Sequence, residues 1–130
     1  DPGPVQEADG GGGAYGPPNH RHTAEIEQGL SKVAGGPVTG LFRPHLVPMV
    51  RGMQATCHAV PCVSGLTTAS LLETYREFYA AEPFVVVVDE PPPTKAATGA
   101  NTCLVTARFD ERTGRVLALG VLRGVVCFCC

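Results

Sequence analysis

Two histidines one residue apart, His20 and His22, enclose Arg21 and stand just ahead of Glu25 and Glu27. Histidine titrates near pH 6.5, so it can take and give protons at neutrality. An arginine alongside offers the donors that hold carboxylate or phosphate oxygens. Residue types of this kind could do acid–base work beside an anion. The competing reading is structural: solvated charges and a glutamate that favours the start of a helix. Residue type alone does not separate His20 from His22. His45 lies between Pro44 and Pro48, where packing is its expected role. The four residues Gly10 to Gly13 follow no strand and precede no Lys-Ser/Thr pair, so they read as linker rather than phosphate loop.

The six cysteines are Cys57, Cys62, Cys103, Cys127, Cys129 and Cys130. Without a secretory signal they are expected to be reduced thiols of a cytoplasmic protein. Neither His20-x-His22 nor the terminal Cys-x-Cys-Cys has the spacing of a structural zinc site, so no metal is expected. The tail also departs from the Cys-a-a-X lipidation pattern.

These side chains need elements to hold them. A helix is expected from Thr23, with Ile26, Leu30 and Val33 on one face and Gly35-Gly36 as its stop. Pro44 and Pro48 limit the next stretch to short or edge pieces. A strand is expected over 53–60 and a second helix over 66–81, where Leu71, Leu72, Tyr75, Phe78 and Tyr79 share a face. Residues 84–88 read as a buried strand. Residues 102–109 and 115–122 read as a hairpin around Asp110-Glu111-Arg112-Thr113-Gly114. The expected fold class is α+β, a mainly antiparallel or mixed sheet with helices on one face. The expected organisation is a Gly/Pro-rich linker or disordered arm at 1–18, a domain at 19–122 and an atypical cysteine-rich tail at 123–130.

The chain has 130 residues, 44% hydrophobic and 17% charged, with a formal net charge of -2. Its ten basic residues are scattered singly, which argues against a nucleic-acid partner. No apolar run approaches the roughly 20 residues of a membrane helix, so no membrane partner is expected either. The chain opens on Asp1 rather than Met, and its natural start is expected upstream.

The block His20-Arg21-His22-Thr23-Ala24-Glu25-Ile26-Glu27-Gln28 resembles the His-Arg-His-Thr-Pro-Glu-Ile-Glu-Gln signature of N-acetyl-gamma-glutamyl-phosphate reductases, with Ala24 in place of the usual proline. Three more blocks follow in the family's order. They are Pro44-His45-Leu46-Val47-Pro48-Met49 with Arg51-Gly52-Met53, Tyr75-Arg76-Glu77-Phe78-Tyr79 with Glu82-Pro83-Phe84-Val85, and Asp110 to Arg115. The resemblance implies a catalytic α+β domain like that of glyceraldehyde-3-phosphate and semialdehyde dehydrogenases, in a homo-oligomer, dimer or tetramer. It implies NADPH-dependent reduction of a small-molecule acyl phosphate to a semialdehyde in arginine biosynthesis. In that chemistry a thiolate attacks the acyl carbon and expels phosphate, and hydride then releases the aldehyde from the thioester.

By position in the motif, His20 is the implied acid/base, with His22 beside it. Arg21 and Arg51 are implied to hold substrate oxygens and Glu25 to fix the histidines. The family's nucleotide fingerprint and catalytic cysteine are expected upstream of residue 1, since none of the six cysteines stands in a matching context. NADPH is thus expected on a domain outside this chain, and the chain alone is expected to be inactive. After Val121 the family's Asn-Leu-Val-Lys-Gly-like segment gives way to the cysteine-rich tail. Two further readings stand beside this one: an aminoadipyl-phosphate reductase of lysine biosynthesis, and a truncated, noncatalytic oligomerisation module.

Overall fold

The structure is a computed structural model describing residues 11–14, 20–49, 51–97 and 99–122. The expected cysteine-rich tail and most of the expected linker lie outside these residues. Contacts divide the chain into two compact units, Asp1–Met49 and Val50–Cys130.

The first unit is organised by helix α1, His22–Ala34. It begins one residue before the expected Thr23 cap. Arg21 occupies the cap position with helical backbone angles and makes no side-chain cap bond. Gly35 ends the helix at φ 69, the left-handed conformation that glycine adopts without steric cost. The Gly35 and Gly36 amides both donate to the Ser31 carbonyl. The chain then runs back along the helix. The Val38 amide donates to Ser31 Oγ at 2.9 Å and the Gly40 amide to Glu27 Oε1 at 3.0 Å. Four helical residues rise about 6 Å, and two extended residues advance about 6.6 Å. The two spacings match, so Ser31 and Glu27 act as successive tethers.

The same unit contains a small antiparallel sheet. Strand β1, Gly13–Ala14, pairs with β2, His45–Leu46, in the register Gly13 to Leu46 and Ala14 to His45. A β-carbon on Gly12 would stand 3.1 Å from the Leu46 carbonyl oxygen, so glycine permits the close approach. Pro44 and Pro48 bracket β2 and keep it short. The expected apolar face of α1 stays uncovered: no residue of the helix is buried, and Val33 is 81% exposed.

The second unit contains β3 (Met53–Ala59), α2 (Thr68–Phe78), β4 (Val85–Val87), a 3-10 turn (Thr94–Ala97), β5 (Cys103–Asp110) and β6 (Arg115–Leu122). The strands form one sheet in the order β3-β6-β5-β4. Its pairings are antiparallel except β4 with β5. This is the expected α+β class with a mixed sheet. Helix α2 starts late because Thr67 and Ser70 form a capping box, and a turn at 79–81 ends it before Pro83.

Registry puts Cys57, Ala118 and Ala107 in one row. The Tyr75 phenol approaches Cys57, so α2 covers that face of the sheet. On the opposite face Arg108 reaches the Asp89 carbonyl and the Glu90 carboxylate, and the 3-10 turn packs on β6. The β4–β5 crossover therefore shields Thr106 and Val121, both essentially buried.

Two expectations change here. Phe78 does not join the packed face of α2 and is 70% exposed. The run 84–88 is a three-residue edge strand, with Phe84 62% exposed, because only β5 pairs with it. Beyond the end of β4 the Thr68 hydroxyl takes over its pairing and accepts the Phe109 amide at 3.1 Å. Among the described residues no helix is long and apolar enough to cross a membrane.

Candidate active site

His20 is half-buried at the N-terminal end of α1. Its carbonyl accepts the Thr23 amide at 3.0 Å. Its Nδ1 accepts the His22 amide at 3.2 Å. The imidazole therefore satisfies a helix-start donor that the Arg21 side chain leaves alone. A ring nitrogen that accepts cannot hold the neutral ring's proton, so that proton sits on Nε2. The ring also makes edge contacts on two sides. The His22 centroid lies 4.8 Å away at 62°, and the Phe42 centroid 5.3 Å away at 68°.

His22 Nε2 stands 4.0 Å from Glu25 Oε2, a loose i,i+3 pair on an exposed surface. The structure thus brings His20, His22 and Glu25 together in a chain of contacts, with Arg21 exposed beside them. Arg51 is exposed and belongs to the second unit. His45 is exposed in β2, opposite Ala14. Sequence reasoning did not single out Phe42 as a site residue. Its signal was the glycine stop after α1, which turns the chain back toward the helix start.

The first unit contains no cysteine. In the second, Cys57 and Cys62 are exposed and Cys103 is part-buried. Burial raises the Cys103 pKa, which disfavours the thiolate that a nucleophile requires. Burial, then Tyr79 and Cys57, likewise raise the Tyr75 phenol. Among the described residues no three His, Cys, Asp or Glu side chains are grouped to hold a metal. Nor do these residues fit a dinucleotide, which needs a glycine turn leading from a strand into an open helix start. Gly12 and Gly13 lie against β2, and the starts of α1 and α2 are met by His20 and by the Thr67–Ser70 box. A shallow hollow of about 230 Å³ at the hairpin end of the sheet is lined by His58, Asp110, Thr113, Arg115, Val116 and Leu117. None of His20, Arg21, His22, Glu25 and Arg51 lines it, although Asp110, Thr113 and Arg115 of the late hairpin block do.

The chain is similar to the N-acetyl-gamma-glutamyl-phosphate reductase of Synechocystis sp., 45% identical over 124 residues that make up 94% of this chain and 35% of the relative. The reductase of Pelobacter propionicus is 50% identical over 105 residues, 79% of this chain and 30% of the relative. That of Symbiobacterium thermophilum is 49% identical over 109 residues, 82% and 31% respectively. The chain thus spans about a third of the length of the curated relatives it matches. The family described as semialdehyde dehydrogenase, dimerisation domain, matches residues 4–122, and the chain belongs to that family.

Proposed function

We propose that this chain is a segment of an N-acetyl-gamma-glutamyl-phosphate reductase, which reduces N-acetylglutamyl 5-phosphate to the 5-semialdehyde and phosphate in arginine biosynthesis. The observation that carries the reading is 45% identity to such a reductase across 94% of the chain. Hydride is supplied by NADPH when bound, and both its site and the nucleophilic cysteine are assigned to residues outside those described. His20 is the acid/base that exchanges protons with the attacking thiol and with the tetrahedral oxygen. His22 flanks it, Glu25 orients His22, and Arg21 and Arg51 hold anionic oxygens of the substrate. Residues 19–122 are the part of the catalytic domain present in this chain. We further infer a cytoplasmic homo-oligomer. The family's description as a dimerisation domain supports assembly, as does β3, exposed along its whole length.

A chimera tests this. Residues 4–122 replace the matching segment of the Synechocystis reductase, and enzyme-dependent NADPH oxidation is followed with the acyl phosphate. Activity is expected, and His20→Ala in the chimera is expected to lower turnover by about 10²–10⁴. A chimera that folds and assembles but oxidises no NADPH would sink the proposal. Turnover close to the chimera's own in His20→Ala would remove His20 from the chemistry.

A further inference from the structure

Residues 89–97 run on from β4 and cross one face of the sheet on the way to β5. Beneath them lies Thr106, 0% exposed, whose hydroxyl has no hydrogen-bond partner among the described residues. Burying a hydroxyl without a partner forfeits its bonds to water, so most buried hydroxyls are satisfied. Closing the crossover over Thr106 therefore carries a penalty. Opening it removes that penalty, because water then reaches the hydroxyl.

The forces holding the crossover down are modest. Pro92 and Ala97 are its buried residues, and both are small, so they remove little apolar surface from water. Its start is tied by charge. Arg108 shares a face of β5 with Thr106, two residues away. It donates to the Asp89 carbonyl and pairs with Glu90 at 2.8 Å. From the helix side Arg76 pairs with Asp89. The Asp89 and Glu90 side chains are 73% and 85% exposed, and ion pairs so placed contribute little. Pro91, Pro92 and Pro93 stiffen the stretch and bring no amide that could meet Thr106. By contrast β5 and β6 pair without a break from Cys103 with Leu122 to Asp110 with Arg115.

We propose that residues 89–97 form a strap that opens and recloses over the Thr106 face while the β5–β6 pairing stays intact. Arg108, helped by Arg76, is its latch. The unpartnered Thr106 hydroxyl sets the bias toward opening. The device belongs to the second unit and does not depend on the assignment of His20 as the acid/base.

Thiol labelling of the full 130-residue chain tests this. Val121 lies under the crossover, 1% exposed, so a thiol introduced by Val121→Cys reacts only when it is uncovered. Peptide mass mapping separates it from the native cysteines. Reagent is kept dilute, so that the rate follows the open population. At low urea the rate should hardly depend on urea, because a local opening exposes little surface. Thr106→Val, added to Val121→Cys, keeps the shape and removes the hydroxyl. It should slow labelling by about tenfold or more, the scale of one unsatisfied buried group. Arg108→Met keeps an apolar stem and releases the latch at an exposed position. It should speed labelling by about 2- to 5-fold. A rate that climbs steeply from the lowest urea would mean that the thiol is reached only by global unfolding, and would overturn the strap. Unchanged labelling in Thr106→Val or in Arg108→Met overturns it as well.

Discussion

Asp110 ends one strand and prepares the next. Its Oδ2 accepts the Thr113 hydroxyl at 2.7 Å and its Oδ1 accepts the Arg112 amide at 3.1 Å. The Gly114 amide closes the turn on the Asp110 carbonyl, and Gly114 takes φ 64. The Thr113 hydrogen bond is the largest cause of a lowered Asp110 pKa; slight desolvation opposes it, and the Arg112 amide and charge add to it. A folded-state pKa below the unfolded one means the ionised carboxylate stabilises the fold above the ordinary aspartate value. That contribution fades as pH falls through the lowered value. Asp110→Ala should therefore melt below the parent chain at pH 7, and the gap should close in acid as pH falls through the lowered value. A gap that persists unchanged in acid would show that the turn does not depend on this charge. Much of the residue scale was legible in advance, because Asp-Glu-Arg-Thr-Gly carries its own turn chemistry. The candidate site was legible less completely. His20, His22 and Glu25 stand in one local motif, whereas Phe42 meets His20 from 22 positions along the chain, at a distance only the folded return can close.

Elements followed the sequence where local chemistry fixes both ends. Helix α1 was readable from Gly35 and its periodic apolar residues, yet it starts at His22 because His20, not Thr23, meets the first amides. Helix α2 was readable from its apolar face, but it proved shorter than that face suggested. The Thr67 hydroxyl accepts the Ser70 amide at 3.1 Å, and the Ser70 hydroxyl in turn accepts the Thr67 amide at 3.0 Å. Serine at that position is a less familiar partner than glutamate, which hid the box in the sequence. Thr67→Ala should cost about 1 kcal/mol of unfolding free energy, the usual value for a lost cap. Urea melts would check this, with Thr67→Ser expected to retain most of the stability. The strand over 84–88 was misjudged as buried because continuous valines look alike in a central and an edge strand. Only pairing decides, and β4 has β5 on one side alone.

At the scale of the whole molecule, the second unit has more sheet than it covers. Helix α2 and the β4–β5 crossover bury Leu72, Ala97, Thr106, Ala107 and Val121 around β5 and β6. They leave β3 exposed along all seven of its residues, Met-Gln-Ala-Thr-Cys-His-Ala. Strand order places β3 at an edge, paired with β6 on one side. Edge strands of monomeric proteins carry lysines, prolines or bulges that discourage a further strand. Here β3 has no lysine and no proline, and its seven residues pair with β6 in unbroken register. An edge so little protected is suited to contact with another surface, which accords with a family described as a dimerisation domain. The 130-residue chain should therefore self-associate with rising concentration in sedimentation velocity. Thr56→Lys, at the middle of β3 where the side chain is already exposed, should lower that tendency while leaving the circular dichroism spectrum unchanged. Equal association in the variant would move the contact away from β3. The uncovered face of α1, where Leu30 is 48% and Val33 81% exposed, would then be the next surface to charge.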